Sequence, residues 1–373
     1  MASIAAREPS AGGRESTGNS GWNYMRRRIT TYFLLVALLP TVIIGALSCG
    51  AAKSVITRKI ADYSLAELTS IASNTQTKIT GIENISMQLF IDKEFNGMLS
   101  AYVRGGKTAE MTTYRKAIEG CLNEYVLGNQ DIFALACIVG PDAKRSVVVA
   151  KDYQAGFLNL VREFATDKAY QDVVLAGGGL IWSPPLDMLG SHFVLLCRYL
   201  KDMATGEPLG VLAIAVDEDS LDRLINMSVY NRLQLFLGEI DNYSMIVDRG
   251  GEIVSTPYKS DIGKKLEAII PGNQPWRRFF SPPPAKQGGG GINQGSLLAD
   301  VNGRKMMVTY RTIGTTGVLN GKSAWLLLNL TPTSYMDRDL RVLGLSILGL
   351  AAVLGILVVL FSFYVSAQIA KKT

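Results

Sequence analysis

The sequence predicts an α+β protein in which two antiparallel-sheet modules are strung between two membrane-spanning helices. Three observations carry this. Two runs, Ile29–Ala52 and Val342–Ala370, hold no Asp, Glu, Lys or Arg over 24 and 29 residues. Between them, apolar strand-like runs alternate with turn signals such as Gly140-Pro141-Asp142 and Asn302-Gly303. The order of strands and helices in the first half of that stretch recurs, shortened, in the second.

Each apolar run exceeds the roughly 20 residues that a helix needs to cross a bilayer core. Each is apolar on every face, unlike the striped helix of a soluble domain. The 373-residue chain carries a net charge of +6 and a pI of about 9.0, a balance that would suit nucleic acid if it were clustered on a folded face. It flanks the two runs instead. Arg7, Arg14, Arg26, Arg27 and Arg28 against Glu8 and Glu15 leave +3 before the first run, and Lys371 with Lys372 adds +2 after the second. Only +1 remains between them, so no nucleic-acid partner is expected. Basic flanks mark cytoplasmic ends, so both termini are expected in the cytoplasm and the 289 residues Lys53–Arg341 outside it. At about 150 residues per domain, that is room for two modules.

The first run is longer than the h-region of a cleaved signal, and the triple Arg before it fits an uncleaved anchor. The "ALSC" ahead of Gly50 has a faint likeness to a lipobox around Cys49, but Ala46 stands where a larger aliphatic residue is usual. A small residue near a helix end is the favoured reading of Cys49.

The elements follow in order. Residues 1–28 are a cytoplasmic tail and 29–52 the first span. Residues 53–104 form a stalk helix, because Leu68, Ile71, Thr75, Ile82, Ile85 and Leu89 recur at helical spacing and no Pro interrupts them. Lys78 breaks the stripe, which serves either as a dimer seam or as a face packed on the protein's own sheet. Residues 105–228 form the first, membrane-distal module. It comprises the hairpin "DIFALACIVGPDAKRSVVVA", a mixed helical stretch from Ala155, the strands at "GLIWSPP", "HFVLLCRYLKD" and "LGVLAIAVD", and a closing helix from about Asp219. Residues 229–341 form the second, membrane-proximal module. A hairpin turns there at Arg249-Gly250-Gly251, "IGKKLEAII" is a short helix, a second hairpin turns at Asn302-Gly303 with the Asn-Gly signature of a type I′ turn, and "KSAWLLLNLTP" is the last strand. The Pro- and Gly-rich "SPPPAKQGGGG" is a mobile loop. Residues 342–365 are the second span, and 366–373 open a cytoplasmic relay.

Catalytic chemistry is not indicated. His192 is the only histidine, and no G-x-S-x-G, H-E-x-x-H or P-loop pattern is present. Cys121, Cys137 and Cys197 show neither zinc spacing nor an even count for disulfides, and Cys137 and Cys197 sit in apolar strand-like runs as small buried residues. No cofactor and no metal is expected.

"MIVDRGGEIVSTPYKSDIGKKL", "GRKMMVTYRTI" with "WLLLNLTP", and "TGEPLGVLAIAVDEDSLDRL" together resemble the double Cache extracytoplasmic region of bacterial transmembrane receptors, most of all two-component sensor histidine kinases. The resemblance covers nearly the whole chain and implies PAS-like antiparallel sheets. It implies a small-molecule ligand in the distal module, a homodimer in the membrane, and a conformational signal passed through the second span to a HAMP-like relay. "SAQIAKKT" is similar to the start of that relay. The kinase output, and through it a response regulator, is then expected beyond this sequence, which on that expectation would be a fragment or a shortened gene product. On the same resemblance Tyr170 and Trp182 match pocket aromatics, and Arg198 suits a carboxylate or hydroxyl-rich ligand. The family's amino-acid-binding Asp falls near Ala215, with Asp217 two residues on, a departure that weakens the case for amino-acid recognition. The alternatives are the input half of a chemoreceptor or cyclase and, from another class, an anchored extracytoplasmic hydrolase.

Overall fold

The computed structural model describes residues 18–140, 143–152, 154–188, 190–227, 242–271, 293–314 and 325–372. The chain forms two compact units, Met1–Arg58 with Ser334–Thr373, and Lys59–Thr333.

In the first unit lie the N-terminal part of helix α1 (Gly18–Ile91) and the last helix, α7 (Ser334–Lys372). Among the described residues one segment, Gly344–Val365, is long and apolar enough to cross a membrane, with a mean hydropathy of 2.7 over 22 residues and none of it buried. The run Ile29–Ala52 is helical, but its side chains lie only partly among the described residues. A Cβ on Gly45 would stand 2.7 Å from Ile347 Cγ2, so only glycine admits α7 this close to α1.

The second unit holds both sheets. The first has the strand order β2-β1-β6-β5-β3, with β4 pairing β5. Its strands are β1 (Ile132–Ile138), β2 (Val147–Ala150), β3 (Leu180–Trp182), β4 (Leu186–Met188), β5 (Ser191–Lys201) and β6 (Pro208–Asp217). The second sheet has the order β8-β7-β11-β10-β9. It is built from β7 (Tyr243–Val247), β8 (Ile253–Ser255), β9 (Gln294–Val301), β10 (Arg304–Ile313) and β11 (Trp325–Pro332). All pairings within both sheets are antiparallel. Asn302 and Gly303 carry φ of 51° and 79°, the double left-handed turn that their sequence predicts. Of the Gly140-Pro141-Asp142 turn, only Gly140 lies among the described residues, as does none of the Pro- and Gly-rich loop.

The stalk stripe packs on the protein's own sheets. Leu68, Ala72, Ile79, Ile82 and Leu89 share one core with Leu196, Leu212 and Ile214 of the first sheet and Ile246, Ile313, Trp325 and Leu327 of the second. Lys78, the apparent interruption, reaches out of that core to Asp131 at 2.7 Å and to Ser220 at 3.3 Å. The stretch 53–104, expected as a stalk helix, is corrected to two helices that meet at Asp92. There α1 ends and the Asp92 carboxylate accepts the N–H groups of Glu94 and Phe95, capping a new helix, α2 (Lys93–Arg104). Helix α3 (Thr108–Gly128) follows. A second correction concerns "IGKKLEAII", which forms no α-helix: it holds one 3-10 turn, Leu266–Ala268, and another, Lys259–Asp261, precedes it. Gly263 sits between them at φ 78°, a conformation that no α-helix continues through. Helices α4 (Gln154–Thr166) and α5 (Lys168–Leu175) cover the other face of the first sheet. Helix α6 (Glu218–Ile225) leaves β6 and lies against β7 and β8 of the second sheet.

Candidate functional site

Both faces of the first sheet are buried, and β5 alternates between them. Val194, Leu196 and Leu200 join the core under α1, whereas Leu195 and Cys197 join the core under α4 and α5. The four residues that the sequence nominates divide accordingly and do not meet in one cavity.

Trp182 and Arg198 lie on the α1 side. The Trp182 indole N–H donates to Glu83 Oε1 at 3.2 Å, and its ring lies 4.9 Å from that of Trp325. Arg198, 6% exposed, donates from Nε to Ser86 Oγ at 3.1 Å and from Nη1 to the Gly178 carbonyl at 2.9 Å, with its guanidinium over the Phe90 ring. Burial pulls the Arg198 pKa down and Glu83 partly restores it. The polar atoms expected to greet a ligand are thus engaged with the stalk helix and its neighbourhood.

Tyr170 and Asp217 belong to the opposite face. Tyr170, on α5, meets Phe164 edge to face at 6.2 Å, and burial raises its phenol pKa. Asp217 ends β6 in register with Phe193 and accepts the Asp219 N–H at 3.1 Å, which starts α6. Between them the sheet presents the small side chains Ala134, Ala136, Cys197, Ala213 and Ala215, into which Phe157 and Phe164 of α4 pack. Phe133 joins this roof to Phe157 and Phe193, at 6.3 and 4.6 Å. Cys137 and Cys197 are buried free thiols; burial pushes Cys137 up to about 12 and Cys197 higher, which leaves them unreactive.

An open cavity of about 650 Å³ lies elsewhere, between α2 and the β5–β6 turn, lined by Lys93, Asn96, Ser100, Arg104 and Asp202 among others. Asp202 is spent on organising that turn. It accepts Ser100 Oγ–H at 2.8 Å and the N–H groups of Ala204 and Thr205, and it pairs with Arg104.

Sequence reading missed the junction of the two sheets. Lys259, just past β8, contacts Glu218, Asp219 (2.7 Å) and Asp222 (3.0 Å) of α6, and Glu218 and Asp222 are each 1% exposed. Glu218 also accepts the Thr256 N–H, and Asn226 exchanges hydrogen bonds with the Ser244 backbone. The run of acids in "VDEDSLD" was the available signal, but nothing local ties it to a lysine some 40 residues on. Burial holds the carboxyls of Glu218, Asp217 and Asp248 above the usual range, for Glu218 against the pull of Lys259. A carboxyl raised in the folded state binds its proton more tightly there than in the unfolded chain. Its stabilising contribution is therefore complete below the ordinary carboxyl value of about 4 and is lost as pH rises through the raised value. The unfolding midpoint is accordingly expected to climb as pH falls through the raised value toward the ordinary carboxyl range, and Glu218→Gln should flatten the climb. A midpoint that drops steadily over that window would show the assignment to be wrong.

No family model and no curated protein matches the chain. Solved structures do match in fold, among them domains of chemoreceptors. The periplasmic sensory domain of the Campylobacter jejuni chemoreceptor Tlp1 superposes with a TM-score of 0.55 at 14% identity, over 75% of this chain and 97% of that one. The ligand-binding domain of the Pseudomonas aeruginosa amino acid chemoreceptor PctB, in complex with L-Arg, gives 0.46 at 15% identity over 75% and 97%. That of Pseudomonas fluorescens CtaA, in complex with L-isoleucine, gives 0.44 at 13% identity over 77% and 98%. The Campylobacter match establishes the class of fold, a mixed α+β architecture of helices and antiparallel sheets.

Proposed function

We propose that this chain is the sensory half of a bacterial membrane receptor. It is held by spans at Ile29–Ala52 and Val342–Val365 with both termini in the cytoplasm, and residues between the spans lie outside. A small ligand engages the first module, and the change passes through α7 to a cytoplasmic output; the chain itself catalyses nothing. The observation that supports this best is the likeness in fold between the two-sheet unit and a periplasmic sensory domain, in a chain that also carries the exposed apolar helix Gly344–Val365. Sequence resemblance favours a histidine kinase output, acting as a homodimer on a response regulator. The Campylobacter neighbour is a chemoreceptor, which favours a chemotaxis output as the second reading.

The ligand face we favour is the one roofed by α4 and α5, where Tyr170 and Asp217 supply an aromatic and a carboxylate. The sheet's small side chains leave room for a ligand there once the roof shifts. Trp182 and Arg198 are committed to the stalk side instead. Joining residue 373 to a reporter kinase and screening small metabolites should give a ligand-dependent response that Tyr170→Ala and Asp217→Ala weaken at least about tenfold, the equivalent of one lost polar contact of roughly 1.4 kcal/mol. A dose response unmoved by both substitutions would remove this face from the account.

A further inference from the structure

We propose that Glu83, Trp182 and Trp325 form the positioning contact through which the first module's state is read by the stalk helix and by the second module. This rests on the sensory reading above and goes beyond it by naming the joint.

Three separate parts of the chain meet at one buried point. Glu83 comes from α1, Trp182 ends β3 of the first sheet, and Trp325 opens β11 of the second. They are 1%, 9% and 3% exposed. The indole N–H of Trp182 faces Glu83 Oε1, and the two indole rings meet at 4.9 Å with their planes 57° apart. A buried carboxylate that loses a donor is costly. Trp182 therefore cannot leave Glu83 without either re-pairing or shifting α1. Aromatic contacts at this separation are directional as well as apolar, so Trp325 follows Trp182 in position and in tilt.

The joint connects to the proposed ligand face by a single short strand. Helix α5, which carries Tyr170, packs on β3 and β5. In β3, Ile181 packs on the α4–α5 side while Leu180 and Trp182 belong to the α1 side. A displacement of α5 thus reaches Trp182 through one residue. On the output side β11 runs from Trp325 to Pro332, and α7 begins two residues later at Ser334. Nearer its N-terminus α1 also touches the second sheet. Ser64 meets Thr309 and Asn329 at 2.9 and 3.0 Å, and Thr69 meets Arg311 at 2.7 Å. Spatial continuity alone does not establish coupling; a demonstrated response at one side to a change at the other does.

Amide hydrogen exchange on the full chain in lipid nanodiscs provides that test without a known ligand. Trp325→Leu, a change confined to the second module, should speed exchange in Leu180–Trp182 by about tenfold, with β1 and β6 of the same sheet unmoved. A merely structural role for Trp325 would move β11 and β7 only. Glu83→Leu should reproduce the effect at Leu180–Trp182. Glu83→Gln, which keeps an acceptor for the indole, should stay within about twofold of the parent. Should Trp325→Leu fail to fold, Trp325→Phe gives the same readout at smaller amplitude. Unchanged exchange at Leu180–Trp182 in a folded Trp325 variant would overturn the joint while leaving the sensory reading intact. Failure of the sensory reading would be seen in membrane topology, which this experiment does not touch.

Discussion

Trp182→Ala should lower the stability of the unit Lys59–Thr333 by about 3–5 kcal/mol, the range for deleting a large buried aromatic side chain. The loss has two sources. The indole fills space between both sheets and α1, where Trp325 packs against it. Its N–H also leaves Glu83 with one donor fewer at a site that water does not reach. Tyr170→Ala, on the opposite face and only half-buried, should cost much less. Urea denaturation of the two variants beside the parent separates these cases, and a Trp182→Ala midpoint equal to that of Tyr170→Ala would argue against the joint as a packed core. On the sequence reading alone the two aromatics would be equivalent pocket walls.

Gly210→Ala should destabilise by about 3 kcal/mol, again without touching a ligand. Gly210 has φ of +140°, a region that residues with a Cβ rarely enter. A methyl group there would lie 2.3 Å from the Ile138 carbonyl oxygen in the neighbouring strand. The irregular register of β5 and β6 at Leu200 and Lys201 falls beside this glycine. The strain and the clash act together at the end of the strand pair that centres the first sheet, so the whole module should lose stability cooperatively. Urea or thermal unfolding checks this; an unchanged midpoint would mean that the strand end relaxes freely.

These two sites show where sequence reading succeeds and where it stops. Features with a local cause were legible. Asn302-Gly303 declares its turn in two residues, and Leu68, Ile82 and Leu89 declare the buried face of α1 by spacing. The strands of the second hairpin and the run ending at Pro332 follow from their composition and stops. What was hidden depends on partners distant in the chain. Both faces of β5 are buried, so "HFVLLCRYL" offers no contrast that tells which way Arg198 points. Its partner Ser86 lies 112 residues earlier. Lys78 reads as a flaw in a stripe until Asp131 is placed beside it. Strand β4 is three residues long and follows two prolines, too little for any periodicity. Of the nominated site residues, aromatic identity drew attention to Trp182, and aromatic packing between modules is what it supplies.

Membrane topology bears most directly on the central claim that residues between the two spans form an external sensor. In a cysteine-free version of the chain, single cysteines placed at Leu175, which is 83% exposed on the first module, and at Gly12 in the N-terminal tail would be challenged in intact bacteria with a membrane-impermeant thiol reagent. Leu175→Cys should label in intact cells, and Gly12→Cys only after lysis. Labelling of Gly12→Cys in intact cells, with Leu175→Cys protected until lysis, would contradict the receptor account.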